Sequence, residues 1–297
     1  MPNYEGQNLL NLFIDESGAS AIYEPRYRCF LISAILLTPS EKELANLLFK
    51  KWRDKYLASP NKCFHATDFF EGYVRGYRQT QLRIGRNFNN SIEELIEIIS
   101  YLTIKGEVYF VDIPELRGKL LLKEPPQYQN TFTSSSDEKA YNLSVDTYKK
   151  EVRNTIGRRK VYLPLALTLK SAFDFHFNHI NDTQDNYPHK GYIHFESLSG
   201  ADRLLIEHYY RLRDKVDDSY QEKIIGINFH TKNSLDAGIE LADLISYISF
   251  QTLRFKYRRT EEYSNLTPES IVQIRKLRTF IREKLKIKLI EVTNNVL

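Results

Sequence analysis

Cysteine is almost absent, with Cys29 and Cys63 the only two in 297 residues. They offer neither the spacing of a zinc site nor the number needed for a disulfide framework, and they fit a reducing compartment. Glycine and proline are also scarce, at 12 and 10 residues, which argues against long disordered segments. No long hydrophobic run occurs; the longest, around Phe30 to Leu37, falls far short of the roughly 20 residues of a membrane helix. Met1 to Gln7 is polar and has no apolar core, so no signal peptide is expected. The chain therefore reads as soluble and cytoplasmic, with no membrane partner. A Gly-rich phosphate loop, a Gly-x-Ser-x-Gly elbow, a Ser-His-Asp signature and a fixed-period repeat are all missing, so Ser17 reads as turn chemistry.

What is present is an ordinary core-forming composition with an uneven charge distribution. Hydrophobic residues at 42% are enough to bury a sizeable core. A net charge of +4 makes only a weak case for nucleic acid over the whole surface. Residues 251–297, however, hold 11 Lys and Arg against 5 Asp and Glu, and include Arg254, Lys256, Arg258 and Arg259. A second basic stretch carries Arg75, Arg78, Arg83 and Arg86, interleaved with Tyr73, Tyr77 and Phe88 and with no acid from 72 to 90. That pattern suits phosphate contact with stacking, and it equally suits a solvated surface.

Strand and helix signals alternate along the chain. Leu9 to Ile14 and Arg28 to Leu37 read as an antiparallel pair, followed by a helix capped by Ser40 with Glu43 as its capping-box partner. A segment from Phe64 through His65 and Asp68 reads as a helix start; if so, His65 and Asp68 share a face. Helices are expected over about 90–102, 138–155, 164–180, 201–216, from Leu235 after a cap at Asn233-Ser234, and over 268–285. Strands are expected at 107–113, 192–196, 224–230 and about 289–292. Residues 114–137, with Pro125-Pro126 and a triple serine, read as a connection or insertion. The fold class is therefore α/β, a mixed sheet flanked by helices. The division expected is one domain over 1–255 containing that insertion, with a basic helical extension over 256–297 packed on it.

Carboxylates recur where they are costly. Asp15 and Glu16 end the first strand, Glu196 ends a later one, and Asp236, Glu240 and Asp243 fall at i, i+4 and i+7 of a late helix. A solvated turn and a solvated acidic stripe remain open readings. The alternative is convergence of Asp15, Glu196 and Asp243, with Asp112 as a substitute for Glu196. Like charges about 4 Å apart repel by about 4 kcal/mol at an effective dielectric near 20, so such a cluster needs protons or a hard cation. Oxygen donors of this kind suit Mg²⁺ or Mn²⁺, and two such ions can clamp a phosphodiester displacement. Alternation on the strand lets only one of Asp15 and Glu16 face a shared site, and Asp15 is the one expected. For His65 three roles stay open: proton carrier, partner of Asp15 or Glu16, or structural histidine. His194 and His230 read as structural.

The motifs Phe13-Ile14-Asp15-Glu16-Ser17-Gly18, His65-Ala66-Thr67-Asp68, the strand ending at Glu196, and Gly238-Ile239-Glu240-Leu241-Ala242-Asp243-Leu244-Ile245 occur in a recognisable order. Over about residues 10–250 the chain resembles the domain-of-unknown-function 3800 family, a branch of the ribonuclease H-like superfamily. The resemblance implies a ribonuclease H-like sheet, with Asp15, Glu196 and Asp243 as metal ligands and a nucleic-acid substrate. Glu240 stands where the family commonly has Gln, which implies a supporting role, shared with Glu16, Asp68 and Asp236. The resemblance also implies a phage-defence or mobile-element setting, with a partner protein encoded nearby. A catalytically silent binding module of the same fold is the alternative.

Overall fold

A computed structural model describes residues 9–71, 82, 87–127, 129, 131–158, 160–181, 190–196, 202–213, 222–231, 234–257 and 266–296. Strand β1 (Asn11–Gly18) pairs antiparallel with β2 (Cys29–Leu37). Helices α1 (Pro39–Tyr56), α2 (Ala66–Glu71) and α3 (Phe88–Ser100) follow, then β3 (Lys105–Asp112) and α4 (Ile113–Lys119). Next come α5 (Ser135–Ile156), α6 (Leu163–Asn181), β4 (Gly191–Glu196), α7 (Asp202–Arg213) and β5 (Ile224–His230). The chain continues through α8 (Ala237–Tyr257), α9 (Pro268–Glu283) and β6 (Lys288–Glu291).

The six strands form one mixed sheet in the order β5-β4-β1-β2-β3-β6. β1, β2 and β3 are antiparallel in sequence, whereas β4 runs parallel to β1, β5 to β4 and β6 to β3. Both faces are covered. Alternation on β1 sends Leu12 and Ile14 into one apolar layer, with α4, α5, α6 and α7, and Phe13 into the other, with α1, α2, α3, α8 and α9. All nine residues of β2 are buried, as a continuous apolar run predicts for a strand covered on both sides. The C-terminal region contributes to this core, since α9 buries Ile274, Leu277 and Ile281 and β6 extends the sheet beside β3.

Helix α8 determines where the chemistry sits. Its sequence is apolar nearly all round, and it lies buried across β1 and β2. Close approach is possible because residue 238 is glycine: a Cβ there would stand 2.4 Å from the Phe13 ring. At the end of β1, Gly18 has φ +95°, and a Cβ would meet the Cys29 carbonyl oxygen at 2.3 Å, so the turn needs glycine on both counts.

Several expectations are corrected locally. Thr38, not Ser40, caps α1, with Glu41 rather than Glu43 completing the capping box; Pro39 at the first helical position favours a cap one residue earlier. The cap of α8 is Asp236, whose Oδ1 accepts the Gly238 N–H at 2.9 Å, instead of Asn233-Ser234. Residues 114–119 and 135–137 of the expected insertion are helical. Asp112 is the N-cap of α4, accepting the Glu115 N–H at 3.0 Å, and its strand lies beyond β2 from β1 and β4. It therefore does not substitute for Glu196. Among the described residues no helix is long and apolar enough to cross a membrane.

Candidate functional site

Because β1, β4 and β5 run parallel, their C-terminal ends emerge together. Phe13 pairs in register with His194 and Ile14 with Phe195, so continuing the register sets Asp15 beside Glu196, which in turn pairs with His230. Asp15 lies on the same face of β1 as Phe13, the face that α8 covers. Glu16 is one residue out of phase, as alternation requires.

Asp15 is 6% exposed, and its Oδ2 accepts a 2.6 Å hydrogen bond from Ser246 Oγ on α8. Its carboxyl is raised well above the usual range. Burial is the main cause, followed by the negative charges of Asp243 and Glu16; the Ser246 bond opposes the rise, and Glu196 adds to it. The carboxylates expected from three separate segments therefore act on one another.

His65 is the hinge of the cluster. Its Nε2 stands 3.7 Å from Glu196 Oε1 and its Nδ1 3.7 Å from Asp243 Oδ2. His65 immediately precedes α2, its carbonyl oxygen accepting the Phe69 N–H at 2.9 Å, and Asp68, in the first turn, is exposed. The backbone on either side of His65 hangs from two acids of α8. Glu240 Oε1 accepts the Phe64 N–H at 2.7 Å, and Asp243 Oδ2 accepts the Ala66 N–H at 2.7 Å. Residues 240 and 243 are one turn apart, so a single helix face clasps Phe64 and Ala66 and presents the imidazole between them.

The acidic stripe of α8 is thus neither solvated nor uniform. Glu240 is fully buried and paired through Oε2 with Arg53 Nη1 of α1. Burial pushes its carboxyl up to about 7, against the opposing pull of Arg53 and the Phe64 N–H. Asp236 precedes the helix as its cap, and its Oδ2 pairs with Lys42 Nζ at 2.8 Å. Beyond it, His194 Nδ1 and His230 Nε2 lie 2.7 Å apart. Burial holds His194 down to about 3, assisted by the charges of Lys42 and His230.

Among the described residues, the group whose three ligand atoms all lie within 4.8 Å of one another is His194, His230 and Asp236. Asp15, Glu196 and Asp243 are spread more widely, with the His65 ring between the last two. Of the basic residues, Arg254 lies on α8 with Nη1 donating to Gln251 Oε1 at 3.1 Å. The Lys256 side chain and Arg75, Arg78, Arg83, Arg86, Arg258 and Arg259 lie outside the described residues. Sequence reasoning missed Ser246 and Arg53; a serine three residues after Asp243 in an otherwise apolar helix was the available signal for the first. Searched against protein-family models and against curated proteins, the sequence matches none.

Proposed function

We propose that the protein is a divalent-metal-dependent phosphodiesterase acting on nucleic acid, built on a ribonuclease H-like fold. The observation that carries this reading is geometric: Asp15 is buried at the end of β1, beside Glu196 in the strand register and bonded to Ser246 on the helix that also carries Asp243. The order β3-β2-β1-β4-β5, antiparallel through its first three strands and parallel after them, supports the fold assignment. The position of the acids at strand ends and on a buried helix supports the resemblance to the domain-of-unknown-function 3800 family.

The donor set fits Mg²⁺ or Mn²⁺ in its chemistry, being all carboxylate oxygen. Asp15 and Asp243 would hold the ion from β1 and from α8, whose Ser246 bonds the Asp15 carboxylate, and Glu196, beside Asp15 in the strand register, would complete the set. A bound ion there supplies Lewis acidity toward a phosphodiester oxygen and activates water at neutral pH. Ser246 fixes the Asp15 carboxylate, and the Ala66 N–H fixes that of Asp243. His65 is placed to move a proton at Nε2, on its Glu196 side. Arg254 and the basic residues after it would hold the phosphate backbone.

Purified protein is expected to cleave RNA or DNA with Mg²⁺ or Mn²⁺, and Asp15→Asn is expected to abolish cleavage. Turnover that survives this substitution, or that persists in EDTA, refutes the assignment. A second reading, a silent nucleic-acid-binding module, is favoured by one feature: Ser246, Ala66 and His65 already engage the acids internally. Gel shifts that survive Asp15→Asn, with no product under any metal, select it.

A further inference from the structure

Three segments bring a second, chemically different set of donors together beside the carboxylates. His194 comes from β4, His230 from the end of β5, and Asp236 from the cap of α8. His194 Nδ1 and His230 Nε2 face each other at 2.7 Å, and His230 Nδ1 is 3.8 Å from Asp236 Oδ2. His194 is 5% exposed and Asp236 8%. The set is held rigidly. The His194 ring stacks on Phe13 at 4.5 Å and 15°, and Asp236 Oδ1 is fixed by the Gly238 N–H, leaving Oδ2 for another partner. That partner is a cation: Lys42 Nζ, 2.8 Å from Oδ2, reaches over the Phe13 ring from α1.

We infer that His194, His230 and Asp236 form a binding site for a divalent transition-metal ion of the zinc class, with the Lys42 ammonium occupying the cation position in the metal-free protein. Two imidazoles and one carboxylate are the donors such ions prefer, and they leave a position open; Mg²⁺ prefers an all-oxygen set. Zn–N bonds of about 2.0–2.1 Å in a tetrahedron separate ligand atoms by about 3.3 Å. The two imidazole nitrogens therefore need to open slightly. His230, the least buried of the three ligands, sits at a strand end where it can do so. Lys42 is 24% exposed and can swing into solvent. The site is separate in ligand chemistry from the Asp15, Glu196 and Asp243 set, and the inference does not depend on the nuclease reading.

The test is titration of the full chain with Co²⁺, followed by visible absorption, and with Zn²⁺ by calorimetry. The same measurements in Asp15→Asn protein report on this site with the carboxylate set impaired. The expected result is one tightly held ion per chain in both proteins. His230→Gln should weaken it by about 100-fold, at least the cost of losing a supporting partner of a metal ligand. Lys42→Gln should tighten it about tenfold, since the cation that competes with the ion for Asp236 Oδ2 is removed. A structural histidine pair would not respond to Lys42 in this direction. Binding that is indifferent to His230→Gln, or absent from both the wild type and Lys42→Gln, overturns the inference; circular dichroism confirms that each variant is folded.

Discussion

Replacing Arg53 by methionine isolates the ion pair that supports the His65 segment. Arg53 and Glu240 have side chains only 3% and 0% exposed, so water cannot screen the loss. The substitution keeps the volume of the stem and leaves the Glu240 carboxylate with the Phe64 N–H and no countercharge. Breaking one partner out of a buried pair costs about 3–5 kcal/mol. The sign with pH follows from Glu240 itself. Its folded value, pushed up to about 7 by burial, lies above the ordinary 4.5, so protonation favours the folded state below that value and the benefit is lost as pH rises through it. Removing Arg53 raises the value further. The deficit of Arg53→Met should therefore be largest near pH 8 and shrink toward pH 5, where Glu240 is neutral in both proteins. Urea denaturation at the two pH values measures this, provided the slopes agree. Adding Glu240→Gln, which retains an acceptor for the Phe64 N–H, should restore most of the stability at pH 8. An Arg53→Met protein within about 1 kcal/mol of wild type at pH 8, or a double variant no better than the single, refutes the pairing as a support; such a deficit is well below the range for a broken buried pair.

Other outcomes follow from single contacts. Ser246→Ala removes the 2.6 Å donor to Asp15; stability should fall by about 1–3 kcal/mol and metal-dependent cleavage by about 10–100-fold, read by denaturation and by product formation. His176 is fully buried, with its Nε2 2.9 Å from the Leu10 carbonyl oxygen, and burial holds it down to about 4. A histidine lowered in the folded state stabilises above the ordinary 6.5, and the benefit disappears as pH falls from there toward 4. His176→Gln keeps a donor for Leu10 and should remove about 3 kcal/mol of pH dependence across that window. Equal slopes in the two proteins would dismiss the assignment.

The architecture was legible where pattern and burial agree. The apolar runs of β1 and β2 and the helical spacing of α3 and α9 name their elements directly, because the strands are buried on both faces and each helix buries one face in a single layer. Helix starts were less legible. Thr38 and Ser40 are both competent caps, and only the preference for proline at the first helical position separates them. Asp15 and Asp243 were readable as acids in apolar surroundings. The role of Glu240 was not, because its partners lie far off in sequence: Arg53 reads as one more basic residue on α1, and the Phe64 N–H carries no sequence signal at all. His194, His230 and Asp236 were each read alone, and only the parallel pairing of β4 with β5 and the capping of α8 join them.

Asp243 carries two separable duties, and this sets how it must be tested. Its Oδ2 anchors the Ala66 N–H, while the proposed site requires its negative charge. Asparagine retains a carbonyl oxygen for Ala66 and removes the charge; alanine removes both. If the two duties are distinct, Asp243→Asn should fold within about 1 kcal/mol of wild type, whereas Asp243→Ala should lose about 1.5–3 kcal/mol, the range for a hydrogen bond to a charged group. Both should abolish metal-dependent cleavage. Equal stability of the two variants would remove the anchoring role, and cleavage by a well-folded Asp243→Asn protein would remove the catalytic one. Glu240 supplies the contrast, because it anchors the neighbouring Phe64 N–H while Arg53 neutralises it. Glu240→Gln should therefore retain cleavage that Asp243→Asn loses. One helix turn would then hold two acids with the same anchoring task, of which only the one not neutralised by Arg53 serves the chemistry.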